Sequence, residues 1–390
     1  MSEPESKADI PAAKSSAAAE QKSHRVAALD WMRGLVMVLM VIDHASMAFN
    51  GHRLAEDSAF FPGAGTMTLP AAEFLVRWLS HLCAPAFVFL AGTALALSVE
   101  RRVAKGVYGW EIDKTILFRG AVIALLDPTV ISLGSGRWTF QVLLAIGLSM
   151  MCMALLRRLP SWLLVGLALG WLALGELLTL RVWHPPGSAS PLAAFTLATY
   201  GAENMVIKYP LLPWLAMMML GWVFGRHMNR FAEGKSRISP KTMMVVAGVF
   251  GLVVFAVVRG LNGYGQMSLY RADNSWQQWL HVSKYPPSLS FSALELGLLC
   301  LSLALLMAIE PVIGVRANGV LLVFGQTAMF FYIVHRLAFE VPATYFGLRG
   351  VGNLVTAFLV SIGLLLVIYP VCLWFRRLKA AHPASFLKYF

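Results

Sequence analysis

One apolar stretch, RVAALDWMRGLVMVLMVIDH over residues 25–44, carries reactive side chains at helical spacing. Arg33 and His44 stand 11 residues apart, almost three helical turns, so they share a face and lie about 16 Å apart along the axis. An imidazole titrates near neutrality and is the usual general base, while a guanidinium is permanently charged and forks onto anionic oxygens. One line of side chains could therefore touch both ends of a long substrate. Asp30 lies three residues before Arg33, where the two can pair, and it joins His44 as a catalytic candidate. Asp43 projects about 100° away from His44 around the helix, so a carboxylate from another span is expected to orient the imidazole. Each residue also has a plainer reading: Arg33 snorkelling to an interface, Asp30 favoured by a helix N-terminus, His44 satisfied by a backbone carbonyl.

Further candidates are scattered along the chain. His81 precedes Cys83-Ala84-Pro85 and is either a third catalytic candidate lining the same cavity or a structural histidine. Lys284, before Tyr285-Pro286-Pro287, suits an anionic or carbonyl group at an outer mouth, or else an interfacial lysine beside an aromatic belt. His335 beside Arg336 is a buried polar candidate, taken with Lys284 as substrate-binding. The four cysteines, Cys83, Cys152, Cys300 and Cys372, fall apart from one another in apolar segments with no metal-ligand spacing. Neither a disulfide nor a bound metal is expected, and runs such as MMML at 217–220 read as packing.

The elements that must position these groups are apolar spans. Of 390 residues, 58% are hydrophobic and only 13% charged, and the mean hydropathy is +0.67. A soluble globular domain is nearer half apolar and a quarter charged. Repeated apolar stretches of about 20 residues make this an all-α, polytopic integral membrane bundle. Ten spans are expected, at 28–49, 71–98, 114–134, 138–156, 160–180, 208–227, 241–261, 287–309, 318–347 and 351–375. The segment 1–24, rich in Ala, Ser, Lys and Glu, is expected to be a disordered tail, followed by a membrane domain over 25–378 and a second tail over 379–390. The net charge of +12 sits in short loops, which points to topology rather than nucleic acid. Twenty Lys and Arg fall in the tails and the loops on their side and eight in the opposite loops, so both termini are expected in the cytoplasm. The longer loops 50–70, 181–207 and 262–286 then face outward over a cavity. Ionisable residues inside the spans, among them Asp127, Glu176, Glu295 and Glu340, imply a polar interior, because each would cost at least about 2.5–3.5 kcal/mol in hydrocarbon.

The pattern Arg25…Leu29-Asp30…Arg33-Gly34…Asp43-His44 resembles the opening of bacterial membrane proteins related to the heparan-alpha-glucosaminide N-acetyltransferase catalytic domain. HLCAPAFVFLAGTA (81–94), YPLLPWLAMMMLGWVFGR (209–226), KYPPSLSF (284–291) and GQTAMFFYIVH (325–335) are similar to later stretches of that family. The Arg-x10-His spacing also resembles the membrane acyltransferase-3 family. The resemblance implies a transmembrane acyltransferase with acetyl-CoA or another acyl-CoA as donor. It would take the donor from the cytoplasm and pass the acyl group, most simply acetyl, to an acceptor on the far side, such as an envelope sugar. His44 matches the acyltransferase-3 histidine implicated in transfer and Arg33 its partner, suited to the phosphates of coenzyme A. The lysosomal acetyltransferase carries Asn at the position of His44 and its histidine in the following loop, where His52 is nearest here. Gln141, in RWTFQVLLAIG (137–147), resembles a glutamine of the family pattern, and Arg137 and Gln141 join Arg33 as cofactor-binding candidates. The bilayer, the acyl-CoA and an unidentified acceptor are the expected partners, and an inner (plasma) membrane the expected location. A solute transporter or flippase, or a noncatalytic partner of the same fold, is the alternative, although no broken-helix pair or inverted repeat is legible.

Overall fold

A computed structural model describes residues 26–54, 57–382, 385 and 387. The tail expected over 1–24 lies outside them, as does most of the chain beyond His382. The chain is mostly helical. Its helices are α1 Ala27–Phe49, α2 Ala71–Leu79, α3 Cys83–Val103, α4 Trp110–Leu126, α5 Val142–Leu156, α6 Ser161–Val182 and α7 Pro191–Thr196, then α8 Leu211–Ala232, α9 Pro240–Leu261, α10 Trp276–Leu280, α11 Leu289–Ile313, α12 Val320–Gln326, α13 Ala328–Tyr345 and α14 Leu354–Ala381. Side chains start several of them: Ser239, Ser288 and Asn353 each accept from a backbone N–H of the first turn, satisfying donors with no helical partner.

Seven segments among the described residues are long and apolar enough to cross a membrane, and the bent pair α12–α13 raises this to eight. The other two expected spans differ for local reasons. α5 has only 15 residues. α8 has 22, but its Trp, Pro and Gly residues and the Arg226-His227 pair dilute its hydropathy. The expected span 318–347 is not one helix: the chain turns by 92° between α12 and α13, at Thr327, whose hydroxyl donates to the carbonyl of Val323 at 2.8 Å. A broken helix, not legible in the sequence, is therefore present. α2 and α3 are joined through a 3-10 turn at Ser80–Leu82, and α4 runs on through a π-turn at Asp127–Ile131.

One apolar core runs through the bundle, with α1 at its centre between α3, α11, α12, α13 and α14. Several helix pairs touch backbone to backbone. A Cβ on Gly221 of α8 would lie 2.0 Å from the carbonyl oxygen of Phe89, and one on Gly92 of α3 would lie 2.2 Å from that of Met218. Gly34 and Gly325 do the same for α1 against α12. Such contact is available only to a residue without a side chain.

At the end of the bundle where α1 finishes, three short strands form a sheet in the order β1-β3-β2. β1 (Trp138–Phe140) pairs in parallel with β3 (Met205–Ile207), and β2 (Tyr200–Gly201) pairs antiparallel to β3. The amide of Lys208 donates to the carbonyl of Phe140 at 3.2 Å, which extends the ladder by one residue. Gln141 and Lys208 therefore leave the two strands side by side.

Candidate active site

A polar cavity opens at this end, with an empty volume of about 670 Å³ including its open mouth. Helix α1 supplies Asp43 and His44, the α2–α3 junction Arg77, Ser80 and Cys83, and α5 Gln141. Arg53, Lys208, Tyr209, Lys284, Tyr285 and, from α13, Tyr332 complete the polar lining.

The geometry of His44 fixes its hydrogens. Its Nδ1 lies 2.8 Å from Nε2 of His335, and Nδ1 of His335 lies 2.9 Å from the carbonyl oxygen of Phe331. A carbonyl only accepts, so His335 Nδ1 carries the hydrogen and, with both rings neutral, its Nε2 accepts from His44 Nδ1. His44 Nε2 is left with its lone pair on a residue that lines the cavity. The two rings stack with centroids 5.0 Å apart. The partner that orients His44 is thus a histidine, in place of the carboxylate expected from another span.

Beside this pair stands an ionic network. Arg77 donates to both carboxylate oxygens of Asp43, at 3.0 and 3.1 Å, and Arg53 donates to Oδ1 at 2.9 Å. The other nitrogen of Arg77 pairs with Asp57, which also meets Nε2 of His81 at 2.9 Å. Burial opposes ionisation of Asp57, but Arg77 and the His81 hydrogen bond hold its carboxyl far below the usual range. Asp57 also places the next loop, because its carbonyl accepts from the amide of Lys284 at 2.9 Å.

Two Lys-Tyr-Pro tripeptides, 208–210 and 284–286, meet across the mouth. The hydroxyls of Tyr209 and Tyr285 lie 3.2 Å apart, and the ammonium groups of Lys208 and Lys284 sit 5.3 and 5.5 Å from the centroid of the Tyr285 ring. Burial draws the Lys208 ammonium below the ordinary lysine range. For the Tyr285 phenol, burial acts upward, and Lys284 and Arg77 outweigh it to bring the group down.

Of the sequence candidates, His44, Gln141 and Lys284 line the cavity, and His335 stands directly behind His44. Gln141 is held from below by Asp127, whose Oδ2 accepts from the amides of Gln141 and Leu144, both at 2.8 Å. His81 is 1% exposed, sits behind Asp57 and does not line the cavity. Arg33 and Asp30 pair with each other at 2.9 Å, and Arg33 also donates to the carbonyl of Leu90 at 3.2 Å. Both face the protein interior, two turns or more along α1 from the cavity's nearest lining residue, Met40. Arg137 is exposed before β1, and His52 is exposed in the loop after α1. The residues missed are Arg53, Arg77, Lys208, Tyr209, Tyr285 and Tyr332. The doubled Lys-Tyr-Pro was the available signal for three of them.

The fold and site define a polytopic helical membrane protein with a polar, cation-rich cavity and an imidazole at its wall. Residues 25–257 match the family described as heparan-alpha-glucosaminide N-acetyltransferase, catalytic, and the chain belongs to that family. Comparison with curated proteins finds no match.

Proposed function

We propose that the protein is a membrane acyltransferase that moves an acetyl group from acetyl-CoA to a hydroxyl or amine acceptor, with His44 as general base. The observation that carries this reading is the chain of hydrogen bonds from His44 through His335 to the Phe331 carbonyl, which leaves an accepting nitrogen at a cavity in a protein of this family. His44 Nε2 takes the proton of the acceptor, whose oxygen or nitrogen attacks the thioester carbonyl. The tetrahedral adduct expels the thiolate of coenzyme A, which recovers the proton from His44. Gln141 and Tyr285, which line the cavity, supply hydrogen-bond donors near the developing oxyanion.

The donor's phosphates are assigned to the other end of α1. Arg33 lies there within electrostatic range of Arg119 of α4, which in turn senses Arg102. The pantetheine arm then covers roughly the 16 Å between Arg33 and His44. In this reading the chain crosses a bacterial inner membrane ten times, α5 and α8 included, with both termini in the cytoplasm and the cavity facing outward. An envelope sugar fits such a placement. Asp30 serves by fixing Arg33, and His81 by fixing Asp57.

The test is acetyl-CoA binding to the detergent-solubilised protein by calorimetry, with coenzyme A release in the presence of glucosamine as a probe acceptor. Saturable binding weakened by Arg33→Ala is expected, together with a release rate that falls by about 10²–10⁴-fold in His44→Ala while binding persists. Absence of binding by folded wild type overturns the reading. In that case a transporter comes first, a class for which the bent pair α12–α13 is the structural argument.

A further inference from the structure

We propose that Lys208 and Lys284 form an anion-holding subsite beside the reacting imidazole, which takes a phosphate or carboxylate group carried by the acceptor. The inference rests on the acyl-transfer reading of the cavity. It starts from a charge imbalance. Arg53, Arg77, Lys208 and Lys284 line the cavity, and Asp43 is the lining carboxylate. Asp43 and Asp57 are both committed to the arginines, Asp43 to Arg53 and Arg77, Asp57 to Arg77. Among the described residues no carboxylate comes within ion-pair distance of Lys208 or Lys284, whose ammonium groups face the Tyr285 ring instead. Even with Asp57 counted, and with buried Glu295, which lies within electrostatic range of Lys284, at least one positive charge is left over at a place where charge is costly to bury. An oxyanion between them would balance the site.

The subsite is also built in advance. Lys208 continues the β1–β3 ladder, and Lys284, 3% exposed, is pinned through its amide to Asp57. Behind it the loop 262–286 is tied down by Arg259, whose guanidinium donates to the carbonyls of Leu269, Gln278, Trp279 and His281. Little ordering entropy remains to be lost when a ligand arrives. The hydroxyls of Tyr209 and Tyr285 line the same mouth. Oxyanion chemistry alone fits either the acceptor or the donor's phosphates. Position separates them: the lysines share the His44 end of α1, and Arg33 is at the other.

The experiment uses the full-length protein in detergent. Its thermal midpoint is measured with inorganic phosphate against chloride of equal ionic strength, and acetyl-CoA affinity is measured by calorimetry on the same samples. Phosphate should raise the wild-type midpoint. Lys208→Gln and Lys284→Gln should each weaken the apparent phosphate affinity by about tenfold or more and leave acetyl-CoA affinity unchanged. Lys208→Arg and Lys284→Arg, which keep the charge if the glutamine variants fail to fold, should retain the phosphate effect. The subsite is overturned if phosphate does no more than chloride, if both folded glutamine variants respond like wild type, or if the arginine variants lose the effect. It is equally overturned if acetyl-CoA affinity falls in step with the phosphate effect, which would give the lysines to the donor. Failure of the acyl-transfer reading shows separately, as wild type that responds to phosphate yet binds no acetyl-CoA.

Discussion

His335 is the residue that distinguishes a relay from a lone base. It touches His44 and a backbone carbonyl and does not line the cavity, so in the proposed mechanism it holds His44 in one tautomer with Nε2 free. Replacing His335 by Phe keeps the ring against His44 but removes the acceptor for His44 Nδ1–H, so the imidazole can turn or change tautomer. Acetyl transfer should then slow on the order of 10²-fold, the usual consequence of a small misplacement of a reacting group. The loss should fall on kcat, with acetyl-CoA affinity kept, whereas a general loss of structure would lower both. His335→Gln restores a side-chain acceptor near the same place and should recover part of the rate. An equal kcat in wild type and His335→Phe would remove the relay from the mechanism. Arg336, next along α13, donates through Nη1 to Glu340 at 3.1 Å, an i,i+4 pair within the helix that carries His335.

The elements earn their positions by close packing as much as by hydropathy. α3 and α8 meet at Gly92 and Gly221, and this contact sets how far the lining residues of α3 stand from Lys208 and Tyr209 at the start of α8. A methyl group at Gly221 would meet the Phe89 carbonyl at 2.0 Å, and backbone cannot step aside as a side chain can. Gly221→Ala should cost about 1–3 kcal/mol by overpacking, read as a lowered thermal midpoint, whereas Gly363→Ala on α14, where a Cβ meets nothing within 4 Å, should leave it unchanged. Equal midpoints for the two variants would show that α3 and α8 yield freely. These elements also mark where sequence reading stops. The polar stripe of α1 is legible because 3.6-residue periodicity puts Arg33 and His44 on one face without reference to any other segment. The partnership of His44 with His335 spans 291 residues and depends on the 92° bend at Thr327, where Gly325-Gln326-Thr327 alone do not announce a break of that size. The three strands are two or three residues long, too short for an alternating pattern, yet they bring Gln141 and Lys208 together. Arg77 falls inside the expected span 71–98, but the carboxylates that give it a place at the site, Asp43 and Asp57, come from other segments.

At the scale of the whole molecule, the cavity and the charge bias make a joint statement about direction. The cavity gathers the end of α1, the α2–α3 junction and the segments leading into α5, α8 and α11, so it belongs to the side of the long loops 50–70, 181–207 and 262–286. Basic residues concentrate at the other side, which the proposed orientation makes the cytoplasmic one by the positive-inside rule. In that proposed orientation His44 lies toward the outside, a cytoplasmic donor would enter past Arg33, and the length of one helix would span the transfer. Ten crossings and this orientation can be tested without any substrate. In a background with the four native cysteines replaced by Ala, Ser188→Cys and Lys235→Cys each put one thiol on an exposed loop position, given that Ser188 and Lys235 are both exposed. A membrane-impermeant thiol reagent added to intact cells should label the protein at position 188 and spare it at 235, with both labelled once the membrane is opened. The reverse pattern would turn the cavity toward the cytoplasm, so that donor and acceptor would meet on one side and no acyl group would need to cross. Labelling at both positions in intact cells would mean an even number of crossings between them. That would remove α8 from the membrane-spanning set, because α6 and α9 pass on length and hydropathy alone and α8 is the helix between the two labels that does not.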